Sequence, residues 1–160
     1  MTLPLVQRLL LRDEGLRRSC YLDHLGFQTI GVGRMIDAKK GGGISTEEAF
    51  YLLRNDISSK EAMIREALPW YDSLSETRKA VLLSMAFQMG VSGLLAFRNT
   101  LRAMQESRWN DAADGMLMSL WAKQTPGRAL RLAEALRTDD AGAFRLDEEP
   151  PEPVTGMPRD

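Results

Sequence analysis

The stretch DEGLRRSCYLDHLGFQTIGVGR, residues 13–34, changes its hydrophobic pattern part-way along. Before Gly15 the apolar residues recur with the 3.6-residue period of an amphipathic helix, and after it apolar and polar side chains alternate. This alternation indicates two short strands separated by a turn at residues 24–26. We therefore predict that a helix ends at Glu14 and that an antiparallel hairpin follows it directly.

Three polar side chains of this stretch are candidate catalytic groups. Glu14 falls on the last helical turn, where the helix dipole disfavours a negative charge, and such a position suits a proton donor. Asp23 ends the first predicted strand and Thr29 lies in the second. Two carboxylates with a hydroxyl between them are the groups that glycoside hydrolysis requires. We predict that the three side chains face one cleft.

Scarce residue types exclude other kinds of site. The chain has one histidine, His24, and one cysteine, Cys20, so neither a zinc centre built on several histidines nor a Cys-His-Asn group can be assembled. Gly31 and Gly33 lack the third glycine and the following helix of a phosphate-binding fingerprint. We expect carboxylate chemistry without a metal or another cofactor.

The remaining chain predicts an α+β protein in which helices dominate. Ser45 and Glu48 form a capping box that opens an uninterrupted helical pattern over residues 45–68, about 30 Å long. So long a helix in a chain of 160 residues is expected to join two lobes. The small lobe, about residues 13–45, contains the short antiparallel sheet.

The second predicted lobe, about residues 69–144, is all-helical, and we expect the N-terminal helix, residues 1–12, to belong to it. A second capping-box pattern, Ser73 with Glu76, predicts where its first helix begins. Residues 145–160 are acidic and rich in proline, so we predict that they form a disordered tail.

Several ordered motifs resemble one protein family. The pattern D-E-G, then Y-x-D, then G-x-x-T-I-G-V-G is similar to the catalytic opening of the phage-type lysozymes, the endolysin muramidases that cut bacterial peptidoglycan. The resemblance continues in F-Q-M-G at residues 87–90, F-R-N-T-L-R at residues 97–102 and W-x-x-Q-T-P-x-R at residues 121–128. It implies a lysozyme-like arrangement of the predicted lobes.

The resemblance also implies roles for individual residues. Glu14 would protonate the glycosidic oxygen, Asp23 with Thr29 would position the attacking water, and Arg128 would reach Glu14. The positions that match residues in contact with the sugar chain are Gly33, Met35, Phe87 and Thr100.

Two positions depart from the family pattern. Arg34 stands where the family often has a histidine, and we expect it to form a structural ion pair with Asp56. Gly115 stands where the family has a polar side chain in contact with sugar, which would alter one subsite.

The implied function is hydrolysis of the bond between N-acetylmuramic acid and N-acetylglucosamine with inversion, by a phage endolysin. The expected partner is peptidoglycan, with no nucleic acid and no stable membrane insertion, and the protein is expected to be a monomer. It would be made in the host cytoplasm and would need a holin to reach the periplasm and the wall. The alternatives are a lytic transglycosylase and a non-catalytic peptidoglycan-binding module. The presence of Asp23 and Thr29 argues against the transglycosylase, and the presence of both carboxylates argues against the binding module.

Overall fold

The computed structural model describes residues 4–146. Within this range the chain forms seven α-helices and three strands, in the order α1, β1, β2, β3 and then α2 to α7. Of the predicted tail, residues 147–160 lie outside the described residues. The elements are α1 Leu5–Glu14, β1 Arg17–Leu22, β2 Gln28–Gly31, β3 Arg34–Met35, α2 Thr46–Ala67, α3 Glu76–Leu95, α4 Arg98–Gln105, α5 Trp109–Leu117, α6 Leu120–Gln124 and α7 Pro126–Thr138.

The chain divides into two compact units, with the boundary between Asn55 and Asp56 inside α2. The first unit contains α1 and the sheet, and the second is helical. This confirms the α+β class, with a small sheet and predominant helices. The assignment of the N-terminal helix to the helical lobe stays a prediction.

The sheet is antiparallel with the order β1-β2-β3, so β2 is the central strand. Tyr21 of β1 and Met35 of β3 flank Thr29. Between Arg17 and Tyr21 the register of β1 slips against β2, as it does at a β-bulge. The alternating pattern predicts two strands. The third has only two residues, too few to show an alternation of its own.

The helical unit is built around a continuous apolar core. Every apolar residue described as buried lies between Ile64 and Leu136. The last helix, α7, packs against α3, α5 and α6, and α4 packs against α5. Inside α3, Gly90 has φ 78° and ψ 162°, which are not helical values, so the helix is interrupted at this residue.

The capping residue of α3 differs from the prediction. Ser75, not Ser73, is the N-cap, and its hydroxyl accepts a hydrogen bond from the backbone N–H of Arg78 at 3.2 Å. Ser73 belongs to a preceding 3-10 turn, Tyr71–Ser73, where its hydroxyl donates to the carbonyl of Trp70 at 2.6 Å. A hydroxyl engaged in that turn is not the cap of the next helix.

Within residues 4–146, no single helix is long and apolar enough to cross a membrane. In this range only the pair α3 and α4 together is long and apolar enough, and these two helices meet at a bend of 98°.

Candidate active site

Glu14 is the last residue of α1, as predicted, and its side chain lies against the turn between β2 and β3. Gly15 follows with φ 73°, and its N–H donates to the carbonyl of Leu11, which ends the helix. A methyl group placed on Gly33 would lie 2.9 Å from Oε2 of Glu14. Gly33 also has φ 68°, a conformation that favours glycine. The turn therefore needs glycine at this position for two independent reasons, and one of them is the carboxyl group of Glu14.

Asp23 is fixed by the turn that it opens between β1 and β2. Its Oδ1 accepts hydrogen bonds from the backbone N–H groups of Leu25 at 2.9 Å and Phe27 at 2.8 Å. Its own N–H donates to the carbonyl of Phe27 at 2.9 Å. Because Oδ1 carries both turn bonds, Oδ2 lies outside this pattern and can accept a proton or a water molecule.

Thr29 is the one buried side chain among those described in the first unit, with 3% of its surface exposed. Its hydroxyl donates to the carbonyl of Phe27 at 3.1 Å. The oxygen of that hydroxyl keeps acceptor capacity for a water molecule. Asp23 and Thr29 therefore both form hydrogen bonds with the backbone of Phe27. Asp23 binds its N–H and its carbonyl, and Thr29 binds its carbonyl.

A cavity of about 460 Å³ lies in the first unit, in the region of the turn between β2 and β3. Gly33 and Met35, both predicted to contact the sugar chain, line it together with the glycines of residues 41–43. Gly42 is packed closely against β3, because a methyl group on it would lie 2.6 Å from the carbonyl oxygen of Met35. The structure therefore brings two predicted contact residues to one cavity, and one of them, Gly33, lies against the predicted acid Glu14.

Arg34 has a different partner from the one predicted. Its guanidinium binds both carboxylate oxygens of Glu48, at 3.0 and 2.8 Å, and donates to the carbonyl of Gly43 at 3.2 Å. Glu48 and Asp56 are eight residues apart in α2, which is about 12 Å along the helix. A guanidinium held at Glu48 and Gly43 cannot also pair with Asp56, so the predicted pair was wrong.

Glu48 combines two tasks at the start of α2. Its Oε2 accepts from the N–H of Ser45 at 2.8 Å, while its own N–H donates to the hydroxyl of Ser45 at 3.1 Å. This confirms the predicted capping box. The hydrogen bond from Ser45, followed by that from Arg34, lowers the pKa of Glu48 below its ordinary value of 4.5.

The other predicted site residues lie in the second unit. Arg128 donates through Nη1 to Oε1 of Gln88 at 3.0 Å, and the same oxygen accepts from the indole N–H of Trp121 at 2.8 Å. Phe87 is exposed on α3, with the ammonium group of Lys60 4.9 Å from its ring centroid. The contact of Arg128 with Glu14, and that of Phe87 with sugar, stay predictions.

Thr100 is buried where α4 packs against α5. A methyl group on Gly115 would lie 2.6 Å from its Oγ1, so the glycine makes room for the threonine side chain. This gives a physical reason for one departure from the family pattern. The contact of Thr100 with sugar stays a prediction.

The family model for phage lysozyme matches residues 12–137. The chain belongs to the phage lysozyme family. The match includes every residue proposed above for the chemistry, from Glu14 to Arg128. The protein is accordingly a glycoside hydrolase of the lysozyme type.

Individual relatives of this lysozyme include proteins of phages and of a eukaryote. It is 29% identical over 167 residues to Probable T4-type lysozyme 1 of Dictyostelium discoideum, covering 88% of this chain and 98% of that protein. It is 32% identical over 119 residues to the Endolysin of Salmonella phage P22, covering 71% of this chain and 78% of that one. It is 30% identical over 168 residues to the Pre-baseplate central spike protein Gp5 of Enterobacteria phage T4, covering 89% of this chain but 29% of the spike protein.

Two residues that organise this lysozyme were not singled out from the sequence for these contacts. Gln88 lies within the F-Q-M-G motif, but its partners Trp121 and Arg128 are 33 and 40 residues further along the chain, and no periodicity links them. Glu48 was recognised only as half of a capping box. A capping residue that also binds a guanidinium from a neighbouring strand carries no additional sequence signal.

Proposed function

We propose that this lysozyme hydrolyses the β-1,4 bond between N-acetylmuramic acid and N-acetylglucosamine in bacterial peptidoglycan. The observation that carries the proposal is that Glu14, Asp23 and Thr29 lie in one compact unit, with the acid against a hairpin turn and the second carboxylate fixed by two backbone N–H groups.

The reaction divides between the two carboxyl groups. Glu14, in its protonated form, donates its proton to the glycosidic oxygen as the bond from that oxygen to the anomeric carbon breaks. A water molecule held by Asp23 and the hydroxyl of Thr29 attacks the anomeric carbon from the opposite face, and its proton passes to Asp23. The products are a reducing-end muramic acid and a free hydroxyl on the leaving sugar.

The position of the two carboxylates on the sheet supports inversion. Asp23 lies in the turn before β2, and Gly33, with Glu14 against it, lies in the turn after it. The four residues of β2 span roughly 10 Å. Inverting enzymes separate their carboxyl groups by about 6.5–9.5 Å to admit a water molecule, whereas retaining enzymes need about 5 Å. Groups at opposite ends of a strand suit the first mechanism.

A digestion of purified peptidoglycan, read by mass spectrometry, tests the reaction. Fragments that end in reducing muramic acid would support the proposal. Fragments that end in anhydro-muramic acid would indicate a lytic transglycosylase instead, and an absence of fragments would indicate a non-catalytic binding module. NMR of the fresh product tests the stereochemistry, since the α-anomer must appear first if the β-linked substrate is inverted.

We further propose that the protein acts as a phage endolysin that lyses the host from within. The relative in Salmonella phage P22 is named an endolysin, which supports this role. The protein would act as a monomer, accumulate in the host cytoplasm and reach the periplasm and wall at lysis through a holin. Expression in a Gram-negative strain tests this route. Lysis should follow only when a holin or chloroform opens the membrane, and lysis without either would contradict it.

A further inference from the structure

A second cavity, of about 440 Å³, lies entirely within the helical unit. It is lined from the segment before α3 by Trp70 and Ser75, and from the segment between α4 and α5 by Ser107. Trp109 at the start of α5 and Asp139 at the end of α7 complete its wall. No residue of the candidate active site lines it, so it calls for a separate explanation.

The charged groups of this cavity neutralise each other. Arg78 donates to Oδ2 of Asp139 at 3.1 Å and to the carbonyl of Leu136 at 3.0 Å. The hydroxyl of Ser75 donates to Oδ1 of the same aspartate. The guanidinium of Arg78, with 14% of the side chain exposed, also stacks on the ring of Trp109, 3.7 Å from its centroid. With its cation and anion paired, the cavity favours a neutral ligand over an ion.

Several hydrogen-bonding groups in the wall lack a protein partner. The indole N–H of Trp121 donates to Gln88, whereas those of Trp70 and Trp109 donate to no acceptor among residues 4–146. Within the same range the side chains of Gln105 and Ser107 make no hydrogen bond either. Two half-buried indole rings with free N–H groups therefore stand beside a free amide and a free hydroxyl.

These properties match one class of ligand. A pyranose ring is neutral, has an apolar face of C–H groups that packs on an indole ring, and has hydroxyl and acetamido groups at its edge. The volume lies in the range of pockets that hold small ligands, roughly 300–1,000 Å³. We infer that the cavity is a second glycan-binding site, which takes an N-acetylated hexosamine of the wall polymer without cutting it. The choice of polymer rests on the proposed function, whereas the preference for a neutral sugar does not.

The test follows the indole N–H signals of the full chain by NMR. The protein carries Glu14→Gln so that glycan is not cut, and the probe is the tetramer of N-acetylglucosamine. The signals of Trp70 and Trp109, assigned with Trp→Phe variants, should shift along one saturable binding curve. An absence of shifts, or shifts that do not saturate, would overturn the proposal. Larger shifts of these indole N–H signals with an alanyl-glutamate dipeptide than with the sugar tetramer would overturn the choice of a neutral sugar.

A matched pair of variants separates this cavity from the active site. Gln105→Ala should weaken the binding followed at Trp109 by about fivefold, the effect of one lost hydrogen bond. Gln124 is an exposed glutamine that does not line the cavity, so Gln124→Ala should leave the affinity followed at Trp109 unchanged. The binding curve followed at the backbone N–H of Thr29 should be the same in both variants. Equal curves at Trp109 would contradict the proposal.

The outcomes for the two proposals are independent. If peptidoglycan digestion yields no reducing muramic acid while the signals of Trp70 and Trp109 still saturate, the proposed reaction fails and the binding site stands. If digestion proceeds while these signals stay in place, the binding site fails and the reaction stands.

Discussion

In the helical unit Leu82, Met85 and Leu136 are fully buried, whereas in the sheet-bearing unit Thr29 is the one buried side chain among those described. The first unit is organised instead by turns and caps. Asp23 closes one hairpin through two backbone N–H groups, and Glu48 joins the start of α2 to β3 through Ser45 and Arg34.

The comparison shows which interactions fix the orientation of catalytic side chains in a small unit. Burial of apolar surface contributes much of the folding free energy, but it is not directional, so it cannot by itself orient a carboxylate. Hydrogen bonds within a turn contribute less energy each, but they specify geometry. Glu14 and Asp23 lie in the unit that is held together mainly by hydrogen bonds in turns and caps. Catalysis and stability should therefore respond to different substitutions.

The largest expected effect is on activity alone. Glu14→Gln removes the proton donor while keeping the size of the side chain, so turnover on peptidoglycan should fall by about 10²- to 10⁴-fold. Because Glu14 is exposed, the free energy of unfolding should change by less than about 0.5 kcal/mol. The matched control is Glu47→Gln, an exposed glutamate of α2, which should keep its activity. Substantial lysis by Glu14→Gln would refute the assignment of the acid.

The second prediction compares one substitution in the two units. Leu82→Ala removes a side chain with no exposed surface and should lower the free energy of unfolding by about 2–5 kcal/mol. Leu22→Ala, at a position 66% exposed on β1, should change it by less than about 0.5 kcal/mol. Denaturant unfolding at pH 7 measures both. Equal losses would show that the contrast in packing between the units is wrong.

A pair of glycines tests how the sheet unit aims its acid. Gly31 and Gly33 have φ 70° and 68°, so alanine at either position should cost about 1–2 kcal/mol of stability. Only the new methyl group at position 33 would meet the carboxyl of Glu14, at 2.9 Å, while nothing lies within 4 Å of one at Gly31. Gly33→Ala should therefore lower kcat by about tenfold or more, and Gly31→Ala should not. Steady-state kinetics that do not distinguish the variants would argue against this contact.

In the helical unit a single acceptor serves two donors. Gln88→Leu leaves the indole N–H of the buried Trp121 without an acceptor, which should lower the free energy of unfolding by about 1–3 kcal/mol. In a background of Trp121→Phe, which has no N–H to satisfy, the same substitution should cost much less. Thermal unfolding of the four proteins completes the cycle. Additive effects would mean that the hydrogen bond contributes nothing.

Local patterns predicted much of this fold. The capping box of Ser45 and Glu48 is a short-range signal, and the structure confirms it. The start of α3 shows the limit, because both Ser73 and Ser75 precede helical residues. Which of them caps α3 depends on the 3-10 turn that uses the hydroxyl of Ser73.

Pairings between distant residues could not be predicted in this way. The partner of Arg34 depends on where β3 lies, and β3 itself exists only because residues 34 and 35 pair with β2. The resemblance to a family pointed to Asp56, since a family alignment carries over positions but not the path of the chain between them. Gln88 is a similar case, because its role follows from the packing of α3 against α7.

The smallest expected effect concerns the ion pair of Arg34 and Glu48. Hydrogen bonds from Ser45 and Arg34 lower the pKa of Glu48 in the folded protein. A group with a lowered folded pKa stabilises the protein above its unfolded pKa, about 4.5, and loses this contribution as the pH falls through the folded value. Glu48→Gln should therefore unfold at a lower temperature than the wild type at pH 7, and the difference should close at about pH 2.5.

Measurements at alkaline pH and a second variant make this test more specific. Arginine stays charged, so the difference should not narrow between about pH 6 and 9, as it would with a histidine partner. The matched control is Asp56→Asn, the variant that the family alignment alone would have selected. Because Arg34 binds Glu48, this control should not reproduce the acid-sensitive difference. If Asp56→Asn shows that difference and Glu48→Gln does not, the alignment identified the true partner, and Glu48 acts in solution only as the cap of α2.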